Sequence, residues 1–599
     1  MTPLSTLRLI GEGLPVAGFL LLTALPLVDF LGRPLAGFHI PGSATYTQQL
    51  TFFLTFIGGF AATLTGKHLT LSAANLLHGV RARQEAEFFS LCAAASVTAI
   101  LAYASFCVVV AERVQGQKLT FGLPVWVSES VMPLGLGLIS LTYILKSSNW
   151  LPARLCAAAI AGAVFCLGII QPTDSIAWVL GAILMAATFL GSPVFAAMSG
   201  LALIFFWRQG TPVSAVTAEI YRLVGSPTLP AIPLLTATGF VLAETNAARR
   251  LVNFFRALLG FIPGGVAVLV GAVCALFTAL TGGSGVTIIA LGGLVYPILL
   301  NDGYPEKFSL GLVTAAGSLG LLFPPCLAVV LYSVVSNTPA DQLFIAGMVP
   351  GTLLLALVAI YCVNVSLKAG IERQPFKWRE LLAAGRIAKW DLSIPVAMII
   401  LFGSGLASLL ETSAFACAYT IVISCFIHRD LSMKQLPVTL VKAAALVGAV
   451  LILLSCAMGL TSYLVDAQIP DRLLEIVRER IHSPLLFLLT LNVVLLVLGS
   501  ILEIFSAIIV LTPLVIPLGV AFGVHPVHLG VIFLANLQLG FLFPPVGLNL
   551  LLSSSCFGKP MGALYRSVIP FLLILGLGVL LITYVPALSI GVLRLLGRI

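Results

Sequence analysis

SLGLLFPPCLAVVLYS (Ser318–Ser333) returns as QLGFLFPPVGLNLLLS (Gln538–Ser553). The offset is 538 − 318 = 220, and eight of the sixteen positions are identical, including both prolines of each pair. The same offset, without a gap, pairs Phe195 with Phe415, Gly239 with Gly459, Pro297 with Pro517, Gly303 with Gly523 and Pro350 with Pro570. Much of the chain after residue 175 is one unit used twice. Each copy carries a Pro-Pro break inside a long apolar run. Within a bilayer such a break frees backbone amides and carbonyls that lipid cannot satisfy. Paired broken segments at matching places in two halves point to the binding site of a secondary carrier.

The 599-residue chain is 59% hydrophobic and 9% charged, with mean hydropathy +1.12. A soluble chain carries roughly 25% charged residues. Many runs exceed the roughly 20 apolar residues that span a bilayer. They are continuous, not alternating, which excludes a barrel. The composition predicts an all-α polytopic membrane protein. The net charge of +9 carries no nucleic-acid reading, because the basic residues fall in short loops, where they set orientation. The eleven cysteines lie mostly in apolar spans, as Cys92, Cys156, Cys274 and Cys456 do, without CxxC or Cys/His ligand spacing. They read as small hydrophobes. Arg8 precedes the first apolar stretch, but Glu12 and Asp29 flank it and no A-x-A site follows. It reads as an uncleaved first span.

Residues 1–150 lie outside the repeat. Their apolar runs are Ile10–Leu31, Leu50–Leu64, Phe88–Ala111 and Val125–Leu145. A fifth run, Leu155–Ile170, links them through 151–174 to the repeated part, 175–599. Gly66–Glu87, with Lys67, His68, His78, Arg81 and Arg83, is polar enough to lie on the cytoplasmic membrane surface. The repeats occupy 175–368 and 390–597. In the first, FTALTGGSGVT (Phe277–Thr287) interrupts the apolar run Gly264–Leu300. The run is too long for one span, each arm is shorter than a typical span, and Gly-Gly-Ser-Gly breaks the helix between them. This predicts a re-entrant hairpin. Its counterpart is Leu485–Gly519, with Gly499, Ser500, Glu503 and Ser506 near the tip. Ala177–Trp207 fits one long element or two short ones.

Lys368–Lys389 holds Lys368, Arg373, Lys377, Arg379, Arg386 and Lys389 and is predicted to be cytoplasmic; Gln171–Ser175 has no Lys or Arg and is predicted to be periplasmic. Repeat one then starts outside and repeat two inside. The expected architecture is an inverted repeat with two re-entrant hairpins and two broken helices, beside an N-terminal helical scaffold block.

Nucleotide motifs are missing. Gly66–Lys67 and Gly558–Lys559 lack a Walker pattern, and Gly403 and Gly405 lack a third glycine. Uptake must therefore run on an ion gradient. The candidate first site places Thr281, Gly282, Gly283, Ser284 and Thr287 opposite Gly317, Ser318, Gly320, Pro324 and Pro325. The candidate second site places Gly499, Ser500, Glu503 and Ser506 opposite Asn536, Gln538, Gly540, Pro544, Pro545 and Gly547. Unwound carbonyls and Ser, Thr or Asn oxygens suit a small hard cation, and half-helix N-termini offer amides to an anion. A carboxylate at membrane depth is costly and usually faces a polar cavity or a partner. Glu503, at a tip, is a candidate site residue. Glu411 fits either such a role or a helix start, with Thr412 and Ser413 capping nearby. His525 and His528 form H-x-x-H, which reads as a loop and helix-start pair without a further metal ligand nearby.

At these residues the chain resembles the large membrane subunit of the TRAP (tripartite ATP-independent periplasmic) transporters. That family shows a phenylalanine and then roughly G-A-I-S-G-S-S-x-x-T at its first hairpin; here Thr281, Gly282, Ser284 and Thr287 match in kind, and Gly283 stands where serine is common. Its G-Y segment followed by A-A-G-x-L-G-x-L-x-P-P is present as GYPEKFSLGLVTAAGSLGLLFPP (Gly303–Pro325), its A-G-x-x-P-G as AGMVPG (Ala346–Gly351) and its P-P-V-G as Pro544–Gly547. Gly66-Lys67-His68-Leu69 and GLPVWVSESVMPLGLG (Gly122–Gly137) resemble segments of the small membrane subunit. The two subunits look fused. The resemblance implies Na⁺-driven import of a small organic acid across the bacterial inner membrane. It implies delivery by a periplasmic solute-binding protein, an elevator-type motion, Na⁺ bound through the same tip and broken-helix residues, and no cofactor beyond that coupling ion. A stand-alone dicarboxylate carrier or Na⁺/H⁺ antiporter shares the hairpin logic but leaves the N-terminal block unexplained. A membrane enzyme needs a cluster of His, Asp or Glu at one membrane level, and the sequence shows none.

Overall fold

The computed structural model describes residues 3–70, 80–147, 151–167, 174–371, 375–544 and 546–598. Parts of the polar stretch after Gly66 (71–79, with His78), of the linking and periplasmic stretches (168–173) and of the basic loop (372–374, with Arg373) lie outside the described residues. Among those described, every named element is a helix, and ten helices are long and apolar enough to cross a membrane. The apolar runs before the repeat become Pro3–Ala36, Ser43–Thr65, Val80–Gln115, Val131–Ser147 and Leu151–Leu167. Ala177–Trp207 resolves into two helices, Asp174–Phe189 and Val194–Arg208. They part where Gly191 takes φ 117° and Pro193 caps the second helix.

The chain divides into two compact units: Met1–Pro233 with Pro437–Arg472, and Leu234–Leu436 with Leu473–Ile599. This cut by packing differs from the cut by repeat. Within the first unit, the long helix Leu436–Asp466 crosses Ser43–Thr65 at glycines. A Cβ on Gly448 would stand 2.0 Å from the Gly58 carbonyl carbon, and one on Gly58 would stand 2.4 Å from the Ala444 oxygen. Ala61, Ala62, Ala445 and Ala449 extend the contact. Lipid gives little hydrophobic drive for helices to associate, so close approach of backbones at small residues supplies the packing.

In the second unit the 220-residue offset becomes geometry. Gly265–Thr281 and Ser284–Asn301 are the arms of one hairpin; Pro484–Ile501 and Ile504–Ala521 are the arms of the other. Glu306–Ala316 and Leu327–Ser336 are the halves of one broken helix, Pro526–Gly540 and Leu548–Phe557 of the other. These halves are 10 to 15 residues long, too short to span a bilayer. Ser284–Asn301 packs on Leu548–Phe557, and Ile504–Ala521 packs reciprocally on Leu327–Ser336. A rotation exchanging the copies carries this packing onto itself, as in inverted-repeat carriers. Ser318 and Gln538, one offset apart, meet: Ser318 Oγ donates to the Gln538 carbonyl at 3.4 Å. Both hairpin tips are buried, at Thr281, Ser284, Ser500 and Ser506. A loop joining two full spans would instead sit in water, so these hairpins are re-entrant.

A charge cluster ties three pieces of this unit together. Arg250, on Ala247–Leu259, pairs with Asp391 at 2.6 Å and with Asp430 at 2.5 Å. Burial works to raise the Asp430 pKa, but hydrogen bonds from Arg250 and Asn246 prevail and hold it below its ordinary value.

Gly448→Leu forces the Gly58–Gly448 crossing apart, at a cost of about 1–3 kcal/mol or more. A lower thermal midpoint is expected for the detergent-purified variant. Gly137→Leu, whose Cβ meets nothing within 4 Å, is expected to leave the midpoint unchanged.

Candidate functional site

The first hairpin ends because Gly282 takes the left-handed conformation, φ 71°, and Gly283 follows extended before Ser284 starts the second arm. A Cβ on Gly282 would lie 2.5 Å from Leu327 Cβ, so the tip presses against the first turn of a broken half. Below the tip Thr278 gathers the polar contacts. Its Oγ1 lies 2.7 Å from Thr287 Oγ1 and donates to the Gly317 carbonyl at 2.8 Å. Gly317 and Gly320 allow this approach: a Cβ on Gly317 would meet Ile288 at 2.6 Å, and one on Gly320 would meet the Ala275 oxygen at 2.2 Å. Thr281 Oγ1 is buried without a partner. Thr281, Gly282, Gly283, Ser284, Thr287, Gly317, Ser318 and Gly320 are thus drawn to one place. Pro324 and Pro325 lie beyond it and line a mostly apolar cavity of about 100 Å³ with Phe344, Met398, Phe402 and Leu409.

The second tip repeats the plan with different groups. Gly540 crosses Gly499 so closely that a Cβ would stand 2.7 Å from the Gly499 carbonyl carbon. The Gly547 amide donates to the Ser500 carbonyl at 2.9 Å. Glu503 is the N-cap of the second arm, its carboxylate accepting from the Phe505 amide at 3.0 Å. Ser500 Oγ turns back to the Val497 carbonyl. Asn536 sits in a helix-to-helix node: it donates to Asn492 Oδ1 at 2.5 Å, which also accepts from Thr583. Gln538 is buried with neither amide atom partnered. Pro544 ends the described part of this break, and Pro545 lies outside the described residues.

Residues 180–588 match the family described as "Tripartite ATP-independent periplasmic transporter, DctM component", and residues 22–152 match its "DctQ component". The chain belongs to the TRAP transporter family. Its two component matches in one chain make it a fused TRAP permease, a multi-pass protein of the bacterial inner membrane and not an enzyme. It is 35% identical over 64% of its length to 90% of the C4-dicarboxylate TRAP transporter large permease protein DctM of Pseudomonas aeruginosa. It is 31% identical over 78% of its length to 74% of the isethionate TRAP transporter permease protein DctMQ of Oleidesulfovibrio alaskensis. Among solved structures it matches the Alcanivorax borkumensis YdaH transporter at TM-score 0.47 and 15% identity, over 64% of this chain and 88% of that one.

Several polar residues of this permease escaped the sequence reading. Thr278 sits one turn before the tip in a run that reads as plain span. Thr314 donates to Ser553 Oγ at 2.9 Å, and Asn549 Nδ2 donates to the Thr314 carbonyl at 3.2 Å, joining the two broken helices. Thr314 and Asn549 lie in the helical turn next to a break, and that position alone could have flagged them. Glu411 is a helix-start residue: with Ser408 it forms a capping box, so the cap is Ser408 and not Thr412 or Ser413. His525 caps a helix start, and His528 bonds Ser589 and the Thr583 carbonyl.

Gly282→Leu meets both a positive φ and Leu327. Uptake by the inserted variant should fall on the order of a hundredfold, the effect of an ångström-scale displacement at a reacting site. Glu503→Gln removes the charge from the tip and should lower uptake by about tenfold, one charge-assisted hydrogen bond. Glu411→Gln preserves the capping box and should transport normally. Initial rates at matched membrane expression check all three.

Proposed function

We propose that the chain imports a small organic acid on a Na⁺ gradient, taking it from a soluble periplasmic binding protein. The observation that carries this reading is the inequality of the two tips. Positions 283 and 503 are one offset apart, glycine in the first copy and glutamate in the second. Gly283 caps its half helix without a side chain, whereas Glu503 caps its own with a carboxylate. A helix N-terminus favours an anion. The second tip carries a resident carboxylate, and the first leaves its amides for the substrate's. The Thr278 and Thr287 hydroxyls and the turn carbonyls around Gly317 are the oxygens a Na⁺ would use.

The relatives' names supply the substrate class: C4-dicarboxylate, isethionate, ectoine and sialic acid each bear a carboxylate or sulfonate. Neither tip nor either break contains Lys or Arg, so these groups select an acid weakly by charge. Recognition and high local concentration then fall to the binding protein. The hairpins and broken helices pack as one unit, which favours an elevator-like carriage of the site as a whole.

Proteoliposomes holding the purified chain test this. Uptake of a carboxylate or sulfonate from its loaded binding protein should require an inward Na⁺ gradient and stop when K⁺ replaces Na⁺. Full-rate uptake without the binding protein, or unchanged uptake in K⁺, would overturn it.

A further inference from the structure

The Gly66–His68 stretch, part of the segment that resembles the small membrane subunit, has no part in the site described above, yet it borders a cavity of about 430 Å³ in the first unit. The walls come from the end of Ser43–Thr65, the start of Val80–Gln115, the end of Val131–Ser147 and the turn before Val194, with Arg83, Glu87, Tyr143, Lys146 and Leu190 among the lining residues. Lys146 Nζ donates to the Thr63 and Leu64 carbonyls at 2.7 and 2.9 Å. It therefore holds a positive charge at a helix C-terminus beside the cavity.

The hydrogen bonds of His68 fix what an occupant must offer. Thr63 Oγ1 donates to the Gly59 carbonyl at 2.9 Å, so it can only accept from His68 Nε2, 2.8 Å away. The Nε2 atom therefore carries the proton, and Nδ1 is a bare acceptor. That Nδ1 is buried with no partner, and the Tyr143 hydroxyl beside it has only Thr63 within reach. Burial keeps the ring neutral, pushing its pKa down to about 4. An unpartnered buried acceptor costs free energy until a donor fills it. The basic residues of this stretch, Lys67, Arg81 and Arg83, mark its membrane face as cytoplasmic. Basic pockets between spans on that face suit anionic lipid head groups.

We propose that this cavity binds one anionic phospholipid, phosphatidylglycerol, by its head group. The phosphodiester lies against Arg83 and Lys146. A glycerol hydroxyl donates to His68 Nδ1, and the Tyr143 hydroxyl donates to a head-group oxygen. The acyl chains leave past Leu91 and Leu190.

Native mass spectrometry of the purified full chain, with dioleoyl-phosphatidylglycerol, -phosphatidylethanolamine or -phosphatidylcholine added, tests this. One phosphatidylglycerol per chain should be retained in preference to the other two. Tyr143→Phe, which keeps the ring, and Arg83→Gln, at an exposed position, should each weaken retention by about tenfold, one hydrogen bond or ion contact. Their thermal midpoints without added lipid should match the parent. Equal retention of the three lipids, unchanged retention by both variants, or equal thermal protection by inorganic phosphate or glycerol 1-phosphate would overturn the proposal. The last outcome would make this a site for a soluble anion.

Discussion

A helix interrupted inside a bilayer must find partners for its freed backbone groups within the protein, and the second unit is built around that demand. Between Ala316 and Leu327 the chain closes on itself through short turns: the amides of Ser318, Leu319, Leu321, Phe323 and Cys326 each bond the carbonyl three residues back. What the turns cannot satisfy, the hairpin does, through Thr278 to the Gly317 carbonyl. In the other copy Leu542 and Phe543 make the same kind of turn, and the Ser500 carbonyl takes the Gly547 amide. Such bonds require backbones nearly touching, which explains glycine at 317, 320, 499 and 540. Each break is therefore packed against a hairpin tip, which places buried polar groups of both elements side by side.

The two copies share the scaffold and differ in the groups they place on it. Gly499 and Gly540 do in repeat two what Ala279 and Gly320 do in repeat one, since each pair is related by the same offset. At the tips the chemistry diverges, from glycine at 283 to glutamate at 503. A polar residue on one copy also faces an apolar equivalent on the other: Asn549 corresponds to Val329, and Asn536 to Ala316. The fold is symmetric because the backbone problem arises twice. The tips are asymmetric in the groups that cap their half helices, glycine at 283 and glutamate at 503.

The architecture was legible because the Pro-Pro breaks and the Gly-Gly-Ser-Gly tip are backbone signals, and backbone signals survive in a single sequence. The arms Ser284–Asn301 and Ile504–Ala521 fall at identical offsets, as the ungapped repeat requires. Side-chain partners were less legible. The sequence places Asn536 near the break but does not show that its amide bonds Asn492, 44 residues away. The Arg250 cluster joins residues up to 180 apart in sequence, and no spacing rule links such positions. Thr278 is hidden because a threonine within an apolar helix usually satisfies itself on its own backbone.

The long helix Leu436–Asp466 shows how composition decides where a repeated segment ends up. The offset places it on 216–246, yet there the chain forms Ser214–Arg222 and Ala231–Ala243 with a gap between. Pro227, Pro230 and Pro233 fall in or beside that gap; their equivalents are Val447, Val450 and Leu453. Proline removes an amide and clashes with the preceding turn, so repeat one breaks where repeat two runs on. The packing boundary falls at this break, after Pro233, whereas the unbroken helix stays with the first unit almost whole. Its backbone satisfies itself, which leaves its surface free for the glycine and alanine crossing with Ser43–Thr65. Fusion of the small-component helices to the repeated part thus gains a non-covalent joint from a helix that three proline substitutions would have broken.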